Sequence, residues 1–450
     1  MMPHVAALLS HQLRKARPGA CAVLAGAVLL ACPQPARAQY IERYFQPGVP
    51  GYGSEAGVTV LSRQRPLYQE HGVQVGSFNI RPNLDEALSY NSNVDGVSNS
   101  PGSWIVATAP SITVGSTWSR NALGGGVTLH DYRYLDTPRQ NHTDWTASLR
   151  GAYTIGSGDL TANYSHLALH QIATELGALP STSAVPYTVD DFRSNYTFDL
   201  GRVSVTPNVE DRIYNFGSAT INGQTVDQGY RDRNVLIGGV TTRYELSKQR
   251  HLLLVLHGID THYLKHTAGQ LDNNSTGFLF LAGIDYQTSS VWRYRLLAGV
   301  EVRAFAARQF GTQTAPIAEG SVIWTPTGLT TVTATLSRAI EDPATENTGS
   351  YTFTTSDLVV DHELRRNVLL QGRARFQLAQ YLNAGTQTSF SLGGRVTWLL
   401  NRNLRLSVDY AYTQQSGPTV VAPIGPGGLT TPLGGTFRQN VVMLTLHVAP

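Results

Sequence analysis

Eleven charged residues recur at alternating positions of strand-like segments: Arg150, Asp285, Arg293, Arg295, Glu301, Arg303, Arg373, Arg375, Arg395, Arg405 and Asp409. Guanidinium groups gathered in a water-filled passage raise the local concentration of anions and favour their transit. Set against neighbouring carboxylates, the same groups would only stiffen a wall, each pair contributing little. The excess of arginine favours the first reading, selectivity for anions or acidic glycans. A second set, His257, Asp260, His262 and His266, is the nearest approach to a catalytic cluster. Such groups at the rim of a barrel could act on lipid or peptide bonds. Asp260, His262 and His266 share a strand parity and His257 does not, so the four cannot meet on one face without a bulge. Rim polarity is the expected reading, and no enzyme is expected. No nucleophile elbow, phosphate loop or paired-histidine zinc motif occurs, so no cofactor or metal is expected. Gly124, Gly125 and Gly126 begin a strand with no helix after it, which suits close strand approach or curvature better than phosphate binding.

The elements that must place these charges are β-strands of period two. Trp292, Tyr294, Leu296, Ala298, Val300 and Val302 interleave with Arg293, Arg295, Leu297, Gly299, Glu301 and Arg303. The segments 370–378, 389–398 and 404–412 repeat the pattern, with charges on one parity. A membrane barrel and a soluble sandwich both give this period. The connections decide between them. Short links near Gly201, Ser247, Thr288, Arg365 and Asn401 take turns with long polar ones near Asn93–Ser103, Ile172–Val189, Phe216–Asp232 and Gln414–Thr436. Tight periplasmic turns and long outer loops are the signature of an outer-membrane barrel. The fold class is therefore all-β, a transmembrane antiparallel β-barrel of about 18 strands, within 16 to 18, with both termini periplasmic. Tyrosines and tryptophans at strand ends read as interface girdles. Gln414–Thr436, rich in proline and glycine, is a candidate constriction loop.

Residues 1–38 carry Arg14, Lys15 and Arg17, an apolar run from Ala20 to Cys32 and the sequence Ala36-Arg37-Ala38, as a secretory signal does, so cleavage is expected before Gln39. A lipidated Cys32 is the competing reading. Residues 39–72 are expected to form a periplasmic segment and 73–450 the barrel. Removing the four basic residues of the signal takes the formal charge from +3 to −1, so nothing points to nucleic acid. Both cysteines also lie in the signal. Charged residues make up only 14% of the chain, as expected where a belt of surface faces outer-membrane lipid.

Between Ser62 and Val94, the order of Arg65-Pro66, Tyr68, Gly72, Gly76-Ser77-Phe78, Pro82 and Tyr90-Asn91-Ser92-Asn93-Val94 resembles the segment that leads into the barrel in the outer-membrane β-barrel porin family, whose members are often encoded with exopolysaccharide and capsule genes. Gln69 and Asn91-Ser92 stand where that family has acidic residues. The chain also ends Leu446-His447-Val448-Ala449-Pro450 rather than on the aromatic residue that barrel assembly machinery commonly reads. The resemblance implies an outer-membrane conduit for an exopolysaccharide or capsular polysaccharide, working with periplasmic export proteins. The alternatives are a general or anion-preferring small-solute porin, and an enzyme or surface-binding barrel without an open pore.

Overall fold

A computed structural model describes residues 59–449 except 180, 222, 267–268, 270, 288–290, 345–348, 383–384, 418–419, 425–428 and 434. The expected signal, its cleavage site and the first part of the expected periplasmic segment lie outside the described residues. The strands are β1 (Val73–Val75), β2 (Phe78–Asn91), β3 (Ser103–Ser116), β4 (Ala122–Tyr134), β5 (His142–Ile155), β6 (Gly158–Gln171), β7 (Val185–Leu200), β8 (Val203–Phe216), β9 (Ser218–Ile221), β10 (Gln224–Asp227), β11 (Arg233–Ser247) and β12 (Arg250–Tyr263). They continue as β13 (Ser275–Gln287), β14 (Trp292–Phe305), β15 (Thr312–Thr327), β16 (Thr330–Glu341), β17 (Tyr351–Arg365), β18 (Val368–Tyr381), β19 (Gly385–Leu399), β20 (Leu404–Ser416), β21 (Val420–Ile424), β22 (Leu429–Leu433) and β23 (Phe437–Val448).

Leaving aside β1 and the two small hairpins β9–β10 and β21–β22, eighteen long strands pair antiparallel with their neighbours. The sheet closes where β23 runs against β2, from Leu84 opposite Val448 to Asn91 opposite Val441. The lower end of β2 instead pairs with β1, Val73 opposite Ile80, so β1 continues the column that β23 begins. Closure satisfies every edge, which a strand assembly in lipid requires.

Side chains alternate as the sequence demands. Leu149, Leu236, Phe278, Leu296 and Val442 are exposed on the outside. Aromatic pairs mark the outer surface near both strand ends: Trp104 with Tyr90 (ring centroids 5.3 Å apart), Trp118 with Phe78 (5.5 Å) and Trp292 stacked on Trp324 (5.3 Å). These amphipathic rings suit the two water–lipid boundaries.

Chain segments lie at both mouths. At the short-turn end, the Val60 amide donates to Thr331 Oγ1 (3.0 Å), and Arg63 and Arg65 reach Glu363 at 3.3 and 2.8 Å. Farther along, Glu70 pairs with Arg405 and with His447 (3.0 Å). Thr331 and Glu363 belong to β16 and β17, Arg405 and His447 to β20 and β23. Residues 60–70 therefore run along the short-turn mouth, from the β2–β23 seam to β16 and β17. At the long-loop end, the β6–β7 connection reaches over to β17–β19. Leu176 is buried among Tyr351, Phe353 and Tyr381, and the Gly177 amide donates to Gln387 Oε1 (3.2 Å). Leu179 packs with Ala219, Ile221 and Ala344, and the Tyr230 hydroxyl donates to the Ala344 carbonyl (2.9 Å). Beneath this canopy burial lowers the pKa of Arg231 to about 10; its guanidinium lies 3.9 Å from the Phe216 ring centroid. Within the expected constriction loop, Gln414–Thr436, β21 and β22 pair as a separate two-stranded sheet. The segment that folds inward is the β6–β7 loop, whose buried leucines give it something to pack on the far wall.

Candidate functional site: the barrel lumen

Between the two mouths lies a cavity of about 2020 Å³. Nine of the eleven charged residues expected there border it: Arg150, Asp285, Arg293, Arg295, Glu301, Arg303, Arg373, Arg375 and Arg395. Asp409 points inward but is fully buried behind Arg395, which donates to it. Arg405 also points inward, where it is taken up by Glu70 of the segment at the short-turn mouth. These two do not border the cavity.

The arginines do not form bare rings. Arg373 and Arg375 both grip Asp357, at 2.9 and 2.7 Å. Arg303 lies between Glu301 (3.1 Å) and Asp342 (2.7 Å). Arg295 holds Glu319, and Arg293 stands 3.6 Å from Asp285. A further group, Asp191, Arg193, Glu210 and Arg212, forms one network on β7 and β8, with Arg193 to Asp191 and to Glu210 both at 2.9 Å. Arg150 stands exposed on the wall between Gly124 and Asn163 of the flanking strands.

Pairing leaves a directional charge layer. The Arg395 side chain is 36% exposed and its partner Asp409 0%; Arg193 is 22% exposed and Asp191 0%. Arg293 and Arg373 are likewise more exposed than the carboxylates they bind. A solute in the cavity therefore meets guanidinium before carboxylate at these pairs; Glu319 against Arg295, Asp342 against Arg303 and Asp357 against Arg375 run the other way. Twelve arginines and eight carboxylates border the cavity. One of the twelve, Arg338, shares the parity of exposed Leu336 and bonds Thr354 and Gln380, so its charge belongs to the outer face.

The lining is not uniform. Strands β2 to β8 present hydroxyls, carboxamides and arginines, among them Thr113, Ser148, Asn163, Asn195 and Asn208, while Val235, Ile237, Ile259 and Leu279 make an apolar stretch on β11 to β13, flanked by charged residues such as Arg233, Asp285 and Arg303. Next to that stretch, Leu253, Val255, Leu281, Leu297 and Ile317 form a buried cluster, of which Val255, Leu281 and Ile317 also border the cavity. Inward Gly283 and Gly299 let β13 and β14 approach closely there. A Cβ on Gly299 would sit 1.8 Å from the Phe280 carbonyl oxygen, and one on Gly283 1.9 Å from that of Leu296.

The histidine and aspartate set does not converge. His257 borders the cavity. Asp260 and His262 share the outward parity of exposed Leu252, Leu254 and Leu256, and His266 lies in the loop, 3.9 Å from Asp272. Among the described residues, no group of three or more His, Cys, Asp or Glu is placed to hold a metal ion.

No curated protein matches the chain. Among solved structures, OccK1 (OpdK) of Pseudomonas aeruginosa superimposes with a TM-score of 0.42 at 11% identity, covering 82% of this chain and 99% of that one. OccK9 (OpdG) of the same organism gives 0.43 at 10%, covering 83% and 98%. The FrpB iron transporter of Neisseria meningitidis (F3-3 variant) gives 0.43 at 9%, covering 84% and 82%. The family described as "Putative beta-barrel porin 2" matches residues 65–421, from the segment at the short-turn mouth to β21, and the chain belongs to that family.

Proposed function

We propose that this outer-membrane channel passes small solutes and prefers anions. One observation carries the reading: guanidiniums front the water of the lumen while several of their carboxylates lie behind them in the wall. In a cavity bounded by low-dielectric walls, such a layer biases the local ion population toward anions. Polysaccharide export finds no comparable support. Tyr187, Tyr263, Tyr351 and Tyr381, inward aromatics that could stack sugars, are buried and do not border the cavity, and Tyr214, which does border it, is only 8% exposed. An enzyme reading lacks a converged set of acid, base and nucleophile.

The test is the reversal potential of the purified protein in planar bilayers across a KCl gradient. It is expected to have anionic sign and to shrink in Arg150→Gln. The double variant Arg373→Gln/Arg375→Gln leaves Asp357 without either guanidinium and is expected to move the potential to cationic sign. A wild-type channel of cationic sign would overturn the reading.

A further inference from the structure

Resting on that channel reading, we propose that the lumen is shaped for anions with an apolar body, aliphatic or aryl monocarboxylates, whose hydrocarbon part lies against the wall of β11–β13. On that wall Val235, Ile237, Ile259 and Leu279 are half-buried and border the cavity. They are contiguous: Ile237 is directly opposite Ile259, and His257, one pair farther down β12, is opposite Leu279. Leu253 and Leu297, by contrast, do not border the cavity and lie in the buried cluster against which Leu279 packs.

Guanidiniums flank the patch: Arg233 stands on β11 itself, on the parity of Val235 and Ile237, and borders the cavity. Arg212 lies opposite Val235 and Glu210 opposite Ile237 across the β8–β11 ladder, so guanidinium and hydrocarbon are neighbours at the ~5 Å spacing of cross-strand pairs. A hydrophilic anion gains only the guanidinium layer. An amphipathic one also covers aliphatic surface that otherwise contacts water, a gain proportional to the area covered. Each methylene that reaches the patch is therefore expected to tighten occupancy about two- to fourfold, until the patch is covered. A passage for inorganic ions alone gives no reason for this face.

The experiment uses the purified full-length protein in planar bilayers, with block of the KCl current by acetate, butyrate, hexanoate, octanoate and gluconate as the readout. Potency is expected to climb along the linear series, with gluconate no stronger than acetate. Ile237→Ser/Leu279→Ser is expected to flatten the climb, and Arg150→Gln to weaken every acid by a similar factor. Should the double variant fail to assemble, Ile237→Thr alone is expected to reduce the slope. Equal potency across the series, or a slope untouched by the patch variants, overturns the proposal while leaving the channel reading standing. Absence of any KCl current overturns the channel reading and this proposal with it.

Discussion

Shortening the β6–β7 connection, by replacing residues 173–183 with a brief glycine-serine link, raises the single-channel conductance several-fold. The loop reaches across the outer mouth and is fastened on the far wall by Leu176, buried against Tyr351, Phe353 and Tyr381, and by the Gly177 amide on Gln387. Ions travelling along the barrel axis must pass it. The milder Leu176→Asn removes an apolar anchor that, as for other buried leucines, contributes about 2–5 kcal/mol, and places an amide among aromatic rings. Its recordings are expected to show a larger and noisier open level at unchanged ion preference, because the charged layer lies deeper in the lumen. Conductance equal to wild type in both variants would place the loop outside the ion path.

Gly299→Val is expected to abolish assembly of the barrel. The added Cβ would lie 1.8 Å from the Phe280 carbonyl oxygen, and that oxygen belongs to the neighbouring strand's ladder, so no side-chain rotation relieves the contact. Strands β13 and β14 would have to separate at this point, exposing the Leu281 and Leu297 cluster and forfeiting ladder hydrogen bonds, a loss exceeding the roughly 1–3 kcal/mol of ordinary overpacking. Gly115→Ala serves as the comparison, since a Cβ there meets open space. Heat-modifiable mobility on cold SDS gels reads the outcome: Gly115→Ala should run as wild type and Gly299→Val only as the unfolded species. Normal assembly of Gly299→Val would mean that the strands do not approach so closely at this point.

The wall of the barrel was legible in the sequence because a strand in lipid has only two faces, and a period of two assigns each residue to one of them. The interleaving of Trp292 to Val302 with Arg293 to Arg303 survives unchanged in β14. What the period cannot report is company. That Asp357 receives both Arg373 and Arg375 follows from the register between β17 and β18, which no single strand encodes. Leu297 stands on the inward parity, yet its burial depends on neighbours from β12, β13 and β15 that pack against it. Asp191, Arg193, Glu210 and Arg212 alternate in their own strands and could have been assigned inward by the same rule. Asp342, contributed by a loop, could not. Loop paths were least legible: Leu176 and Leu179 are apolar residues in a polar connection, and only the canopy shows what they pack on. The path of the segment at the short-turn mouth rests on Arg63, Arg65 and Glu70, whose partners are some three hundred residues away in the chain.

The two-faced wall with water on its inner side is tested most directly by single-cysteine labelling in membranes. Cys21 and Cys32, the only cysteines in the sequence, lie upstream of the described residues. Leu149 and Arg150 are neighbours on β5, the first exposed on the outer surface and the second on the cavity wall; Leu236 and Ile237 stand in the same relation on β11. A charged, water-soluble thiol reagent should modify Arg150→Cys and Ile237→Cys, with a stepwise fall in conductance, and leave Leu149→Cys and Leu236→Cys untouched. Modification of all four at similar rates, or of the Leu149 and Leu236 positions alone, would contradict the account.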